Sequence, residues 1–289
     1  MLLMVILVLG WPAALKVASW CGPAGARLAQ AYQPEQLSAN QFAHPNAKHW
    51  FGTDVHGRDL FSRVLYGTQI SLLVGLVGAG VSLVLGVLWG AIAGYVGGRT
   101  DNSMMRIVDV LYSMPSIILV IVLITTFETL LKTWLARLGA PNLGASARLL
   151  FLFVGLGAVS WLTMARIVRG QVLSLKQRPF VEASRALGAG PWRILRLHII
   201  PNTLGVVIVY LTLTIPAIIL YESFLSYLGL GIQPPMASLG SLIAEGADQI
   251  NPIRIYWWLL AFPGGSLLLL LLSLTFIGDG LRDSWQVPR

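Results

Sequence analysis

The stretch from Val64 to Gly98, VLYGTQISLLVGLVGAGVSLVLGVLWGAIAGYVGG, contains no Asp, Glu, Lys or Arg. About 20 apolar residues are enough for an α-helix to cross the hydrocarbon core of a bilayer. Four more stretches without these charged residues follow, at 110–127, 149–165, 197–221 and 255–278. Each is close to or above the length of about 18 residues that marks a possible spanning helix. Together they predict a polytopic membrane protein.

The composition agrees with this prediction and excludes other classes. Of the 289 residues, 56% are apolar and 11% are charged, whereas soluble domains carry about 25% charged residues. Long apolar stretches satisfy their backbone groups in a bilayer as helices rather than as alternating barrel strands, so we predict an all-α fold. The net charge of +8 is scattered between apolar stretches, which argues against nucleic-acid binding. The only cysteine, Cys21, excludes an internal disulfide and a cysteine-built zinc site.

The apolar stretches predict about six transmembrane helices. We place them at about 1–20, 70–95, 107–127, 147–167, 204–226 and 256–277. Residues 1–68 would comprise the first helix and an extracytoplasmic segment, and residues 69–289 the transmembrane core domain. The first apolar stretch, Met1 to Leu15, is short and has no basic residue before it. A secretory signal peptide and a first helix with a truncated start therefore both stay open.

The distribution of Lys and Arg predicts the orientation of these helices. Cytoplasmic loops carry an excess of basic residues, and six spans divide the loops into one set with eleven Lys or Arg and another with eight. Residues 166–196 alone contain seven basic residues and one Glu. This loop is therefore predicted to be cytoplasmic, and with six spans both termini are cytoplasmic as well.

Glycine and proline mark special positions in the predicted spans. The second span contains Gly75, Gly78, Gly80, Gly86, Gly90 and Gly94. Small residues let membrane helices approach closely, so this span is predicted to pack tightly against its neighbours. Pro115 and Pro216 lie within spans and are expected to kink them.

The basic loop has the pattern of two short helices joined by a tight turn. From Phe180 it reads FVEASRALGAGPWRILRLHIIPN, in which Gly188 suits a left-handed stop and Pro191 the first position of a second helix. Its apolar residues exceed the needs of a solvated linker: Phe180, Val181, Leu187, Trp192, Ile194 and Leu195. Such a segment can dock into a groove on a partner or lie along lipid headgroups, and the pattern alone favours neither.

In residue type and spacing the loop resembles the EAA loop of binding-protein-dependent ABC transporter permeases. The matching residues are Glu182, Ala183, Gly188, His198, Ile199, Pro201 and Asn202, with Ser184 in place of the commoner second alanine. The ending His-Ile-x-Pro-Asn is similar to that of the oligopeptide, dipeptide and nickel branch. The resemblance implies that residues 180–202 contain the coupling helix, which in this family sits in a cleft of the ATPase subunit.

A second block lies before the second span. Taken alone, Asp54 and Asp59 can cap a helix and pair with nearby arginines, or bind a metal together with His44, His49 and His56. The residues favour the structural role, because the histidines lack a tight chelating spacing and arginines are close. The block resembles the G-T-D-x-x-G-R-D motif of C-type dipeptide and oligopeptide permease subunits. The matching residues are Gly52, Thr53, Asp54, Gly57, Arg58 and Asp59.

Two acidic residues stand out within the apolar stretches. Glu222, near the outer end of the fifth span, is an intramembrane acid and therefore a functional candidate. Its structural alternative is an acceptor for backbone N–H groups or for the hydroxyl of Ser223. Asp109 can pair with Arg106 by helical spacing, and a helix cap is expected for it rather than a proton relay.

Family similarity extends over about residues 50–283 and implies a transport subunit. It would form half of a translocation path for di- or oligopeptides, together with a homologous second permease, two cytoplasmic ATPase subunits and an extracytoplasmic solute-binding protein. The chain lacks the phosphate-binding pattern G-x-x-x-x-G-K-S/T, so we expect no ATPase site, no metal and no bound cofactor, with ATP used by the partners. Nickel or another small solute is the alternative cargo. A membrane-embedded hydrolase is less favoured, because Glu222 has no charged partner within its helix and no hydrolase motif occurs. A proton-coupled carrier is less favoured, because it normally needs several intramembrane acids and an inverted repeat.

Overall fold

A computed structural model describes residues 33–137, 144–234 and 236–285. This part of the chain is helical and contains no β-strand, so the predicted all-α class is confirmed. The helices are α1 (Leu60–Val96), α2 (Gly98–Tyr112), α3 (Ser116–Arg137), α4 (Gly144–Leu175), α5 (Pro179–Ala186), α6 (Pro191–Ile194), α7 (Ile200–Tyr227), α8 (Leu239–Asp248) and α9 (Trp258–Trp285). A π-helical turn, Leu195–Ile199, joins α6 to α7. The first predicted span lies outside the described residues.

Three helical stretches in the described part of the chain are long and apolar enough to cross a membrane: Leu60–Val96, Pro191–Tyr227 and Trp258–Asp283. α2 and the first part of α3 meet the same criteria only as a pair that is bent by 92°. Pro115 lies between them, where its missing N–H and its effect on the preceding residue end α2. The kink expected there is thus a complete break. Pro216 lies inside α7, and the total of six spans stays a prediction.

The chain divides into two compact units. Unit 1 takes in the chain up to Val74 and residues Ile219–Ser273, and unit 2 takes in Gly75–Ile218 and the chain from Leu274. Residues before α1 pack on the start of α9 within unit 1. Phe51 stacks on Phe262 with ring centroids 4.0 Å apart, and the indole Nε1 of Trp258 donates to the carbonyl oxygen of Thr53 at 3.3 Å.

Close helix packing in unit 2 follows a row of glycines. A Cβ added at Gly86 would lie 2.5 Å from the Cβ of Met164 in α4, and one at Gly94 would lie 3.0 Å from the Cβ of Val172. A Cβ at Gly90 would meet the carbonyl oxygen of Ala165, and one at Gly157 of α4 would lie 2.6 Å from the carbonyl oxygen of Gly78. The tight packing predicted for the second span is confirmed at Gly86, Gly90 and Gly94, whereas Gly80 has open space around it.

Candidate functional site

Residues 179–199 fold as the predicted pair of helices. α5 begins at Pro179 and α6 at Pro191, each with the proline in its first turn. Gly188 adopts a φ of +82°, the left-handed conformation that favours glycine. Its N–H donates to the carbonyl oxygen of Arg185 at 2.9 Å, and the N–H of Ala189 donates to Ser184 at 3.0 Å. These bonds close the end of α5. We call residues 179–199 the hairpin.

The apolar residues of the hairpin divide into two sets. Val181, Ile194 and Leu195 are 0%, 1% and 5% exposed and belong to a core that includes Met164, Val168 and Val172 of α4. Phe180, Leu187 and Trp192 are 40%, 88% and 62% exposed. One face therefore anchors the hairpin within unit 2, and the other presents large apolar side chains outward.

The charges of the hairpin have few partners among the residues that the structure describes. Glu182 is exposed and makes no ion pair with any residue that the structure describes. The Arg185 guanidinium lies over the ring of Tyr95, 5.7 Å from its centroid, and forms no ion pair with Glu182. Arg178, Arg193 and Arg196 are exposed as well. The hairpin thus presents one unpaired carboxylate among basic side chains.

The remaining motif residues lie within α5 and where the hairpin meets α7. The Asn202 side-chain amide donates to the carbonyl oxygen of His198 at 2.5 Å, and the His198 ring lies 6.4 Å from that of Phe180. Ser184 Oγ donates back to the carbonyl oxygen of Phe180 at 2.8 Å within α5. Ala183 and Pro201 are exposed.

Two ion pairs fix α2 against α4 in unit 2. Arg169 binds both oxygens of Asp101, with N···O distances of 2.5 and 2.7 Å. Arg166 donates to Asp109 at 2.7 Å, so the pairing of Asp109 with Arg106 expected from helical spacing is wrong. The Asp101–Arg169 pair was missed, because 68 residues separate its members and no local pattern connects them.

Residues 52–59 form a compact loop that caps α1 in unit 1. Asp59 Oδ2 accepts from the backbone N–H and the hydroxyl of Ser62 at 2.9 and 2.7 Å, which satisfies donors at the start of the helix. Its other oxygen lies 2.9 Å from His49 Nδ1. Asp54 Oδ1 accepts from the N–H groups of His56 and Arg58 at 2.8 and 2.9 Å. These contacts support the structural role predicted for the two carboxylates.

The glycines and the threonine of this motif shape the loop. Gly52 and Gly57 have φ angles of +76° and +70°, and a Cβ at Gly52 would lie 2.5 Å from the carbonyl oxygen of Ala43. Thr53 Oγ1 donates to the carbonyl oxygen of Asn40 at 2.5 Å and accepts from the N–H of Ala43 at 2.8 Å. Residues 40–43 are thereby held beside the motif.

Arg63 and Glu245 complete the charge network, and the sequence did not predict them as site residues. Arg63 is buried and donates to Asp54 Oδ2 at 2.8 Å and to both oxygens of Glu245 at 2.5 and 2.9 Å. Arg58 bonds Asp54 Oδ2 at 2.7 Å and reaches Glu245 at 3.4 Å. The motif is therefore joined to α8.

Glu222 is completely buried in unit 1. Its carboxylate accepts from Ser226 at 2.6 Å and from Ser71 of α1 at 3.1 Å. The structural alternative named Ser223 as donor, but the Ser223 hydroxyl has no hydrogen-bond partner among the described residues. Sequence separation again explains the difference, since Ser71 and Glu222 are 151 residues apart.

Comparison with known proteins identifies the family. Residues 86–285 match the model of the binding-protein-dependent transport system inner membrane component. The chain belongs to this family. It is 48% identical to the oligopeptide permease OppC of Haemophilus influenzae, over 82% of this chain and 69% of the relative. It is 45% identical to the dipeptide permease DppC of Bacillus subtilis, over 86% and 72% of the two chains.

A third relative and a solved structure are also similar to this permease. OppC of Escherichia coli K12 is 47% identical over 82% of this chain and 71% of the relative. A chain of the MetNI methionine ABC transporter, crystallised in inward-facing conformations, aligns with a TM-score of 0.57 at 23% identity, over 78% of this chain and 98% of that chain. This last similarity shows the fold alone. The resemblance to C-type permease subunits of ABC importers is confirmed, and the protein is a multi-pass inner-membrane permease.

Proposed function

We propose that this permease forms half of the path by which di- or oligopeptides enter the cell. A homologous second permease supplies the other half, two cytoplasmic ATPase subunits drive transport, and an extracytoplasmic solute-binding protein delivers the peptide. The names of the relatives at 45–48% identity support peptides as cargo. ATP is used by the partner subunits, and this chain binds no cofactor and catalyses no reaction.

Uptake by the reconstituted complex tests the cargo. Proteoliposomes that contain this chain, the second permease, the ATPases and the binding protein should take up a labelled dipeptide when ATP is enclosed with the ATPases. Unlabelled peptide should compete, and a nickel salt should not. Nickel uptake without peptide uptake would show that the cargo is nickel and not a peptide, and it would leave the permease assignment unchanged.

The composition of the exposed face of the hairpin supports the coupling role. Leu187 and Trp192 are exposed although the neighbouring apolar residues are buried, and Glu182 lacks a partner within the described chain. Lipid headgroups would not satisfy Glu182, because the cytoplasmic leaflet is itself negatively charged. A groove on the ATPase with an apolar floor and a basic residue satisfies all three side chains. We therefore assign the hairpin to ATPase docking.

Two substitutions test this assignment. Gly188→Val strains the left-handed turn by roughly 1 kcal/mol or more, and Glu182→Lys reverses the unpaired charge. Both should leave the chain inserted in the membrane, and both should reduce ATPase retention and the ATPase stimulation by loaded binding protein. Gly190→Ala is the matched control, since Gly190 has an ordinary φ of −67° and nothing within 4 Å of an added Cβ. Normal retention and stimulation in both test variants would refute the docking role.

The orientation of the chain follows from the same proposal. The hairpin and both termini are cytoplasmic, and the segment around Gly139 is extracytoplasmic. An alkaline phosphatase fusion after Gly139 should be active and one after Gly188 inactive. The reverse pattern would place the hairpin on the wrong side for ATPase contact.

The second permease is a further part of the proposal. The chain made alone should be unstable or inactive and should recover when it is co-expressed with a homologous permease, which co-purification would detect. A stable homodimer that transports peptide without a second permease would contradict this expectation.

A further inference from the structure

Glu222 connects separate parts of unit 1 through hydroxyl groups. Its Oε1 accepts from Ser226 Oγ at 2.6 Å, one turn further along α7, and its Oε2 accepts from Ser71 Oγ of α1 at 3.1 Å. In the described chain, no Lys, Arg or His pairs with this buried carboxylate. Burying an unpaired acid within an apolar helix costs free energy, so we expect such an acid to have a functional role.

The same two hydroxyls continue the network to the start of α8. Ser71 Oγ accepts from the N–H of Leu239 at 3.3 Å. Ser226 Oγ accepts from the N–H of Ile232 at 3.2 Å and from Ser238 Oγ at 3.2 Å. A serine hydroxyl has a single proton to donate, and Ser71 and Ser226 each direct theirs to Glu222. The carboxylate is therefore the final acceptor of the whole network.

Ser238 is also the residue that begins α8. Its Oγ accepts from the N–H of Ser241 at 3.2 Å while its own N–H donates to Ser241 Oγ at 2.9 Å, a reciprocal cap of the helix. Because Ser238 donates its proton to Ser226, the cap is linked to Glu222 through one intervening hydroxyl. A change at Glu222 thus reaches the first turn of α8.

Glycines bring the backbones close enough for this network. A Cβ at Gly67 of α1 would lie 3.1 Å from the carbonyl carbon of Ser238, and one at Gly240 of α8 would lie 2.8 Å from that of Ser223. A Cβ at Gly231 would lie 2.7 Å from the Cβ of Ser226. The start of α8 is thus seated on α1 and α7, where the hydrogen bonds fix its position.

The other end of α8 is held independently. Glu245, in the last turns of the helix, receives hydrogen bonds from Arg63 at 2.5 and 2.9 Å. Loss of the Glu222 network therefore leaves the C-terminal end of α8 attached and weakens the attachment of its N-terminal end. The two attachments can be tested separately.

We propose that Glu222 is a positioning residue for transport: its two carboxylate oxygens hold the start of α8 on α1 and α7, and the transport cycle requires this attachment. The inference rests on the proposed transport function. Two acceptor oxygens are needed because the hydroxyl groups of Ser71 and Ser226 both donate to the Glu222 carboxylate. Glutamine has the same size but only one acceptor oxygen, so Glu222→Gln deprives one hydroxyl of its acceptor.

The attachment is measured by thiol labelling. Cys21 is the only natural cysteine, so Ala237→Cys in a Cys21→Ala background places a single thiol at a buried position beside the start of α8. In the complete transporter complex, Glu222→Gln should raise the rate of maleimide labelling at this thiol about tenfold, as expected for the loss of a hydrogen bond to a charged acceptor. Ser71→Ala should raise it as well.

Ser82→Ala is the matched control, because Ser82 is also a buried serine of α1 and its hydroxyl has no partner among the described residues. It should leave the labelling rate unchanged. An unchanged rate in Glu222→Gln, or an equal increase in Ser82→Ala, would overturn the proposed attachment.

The link to transport is measured as peptides taken up per ATP hydrolysed, a ratio that does not depend on the amount of folded complex. Glu222→Gln should lower this ratio about tenfold, whereas a purely structural role lowers the yield of complex and leaves the ratio unchanged. Faster labelling with an unchanged ratio would overturn the role in transport. If the wild-type complex takes up no peptide, the proposed function fails, and the labelling result still decides whether Glu222 holds α8.

Discussion

Charged residues are buried and paired in the motif around Asp54, whereas they are exposed in the hairpin. Asp54, Asp59 and Arg63 are buried, and each is bonded by charged or polar groups of unit 1. Glu182, Arg178 and Arg193 are exposed and have no ion-pair partner in the described part of unit 2. The first region is complete within the chain, whereas the second offers charges and apolar side chains to a partner. The contrast predicts that substitutions in the first region reduce stability, and that those in the second reduce association.

The largest expected effect is that of Arg63→Ala. It leaves Asp54 without one of its two arginines and removes the bonds of Glu245 to a buried cation. Leaving a buried charge without its partner costs about 3–5 kcal/mol, and this is an upper limit here because Arg58 still pairs with Asp54. We expect a large loss of folded complex, measured as yield and as thermal unfolding of the purified transporter. Arg193→Ala, at an exposed position, is the control, and equal losses in both variants would remove the distinction between the regions.

The two regions are also expected to differ in how strongly a glycine substitution lowers stability. Gly52 has a φ of +76° and Gly188 a φ of +82°, so alanine costs about 1–2 kcal/mol at either position from the backbone alone. At Gly52 the new Cβ also meets the carbonyl oxygen of Ala43 at 2.5 Å, whereas at Gly188 nothing lies within 4 Å. Gly52→Ala should therefore lower the unfolding temperature of the complex clearly more than Gly188→Ala. A larger drop for Gly188→Ala would contradict the contrast.

The smallest effect on stability is expected for Leu187→Ala and Trp192→Ala. Both side chains are exposed, and surface substitutions usually change the free energy of unfolding by no more than about 0.5 kcal/mol. ATPase binding should nevertheless weaken by about tenfold or more, as for buried apolar anchors of an interface. Pull-down of the ATPase by the permease pair measures this. Leu37→Ala is the control, since Leu37 is similarly exposed in unit 1, and unaffected ATPase binding in both hairpin variants would exclude their role as anchors.

Features that depend on neighbouring residues were predicted best. The turn at Gly188, the start of α6 at Pro191 and the cap at Asp59 each involve groups only a few residues apart. The hairpin helices were therefore confirmed near their predicted positions. The break at Pro115 was expected only as a kink, because a proline shows where a helix is disturbed but not how far the next segment turns.

Partners that are distant in the sequence were not predicted. Arg63 and Glu245 are 182 residues apart, and Arg166 and Asp109 are 57 apart. Helical spacing suggested Arg106 for Asp109 because it considers only one helix. In the structure Asp109 pairs with Arg166, because α4 lies beside α2 and brings the guanidinium within 2.7 Å of Asp109 Oδ1.

The sequence by itself determined the helical class, the charge-free apolar stretches, the hairpin and the family motifs, because these follow from backbone preferences and from the cost of polar groups in lipid. Only the tertiary structure decided that Val181 is buried while Leu187 is exposed, and that Ser71 of α1 donates to Glu222. The physical reason is the range of each interaction. Turns and caps are formed by adjacent residues, whereas the burial of a side chain and the choice of a hydrogen-bond partner depend on which distant helices lie against it.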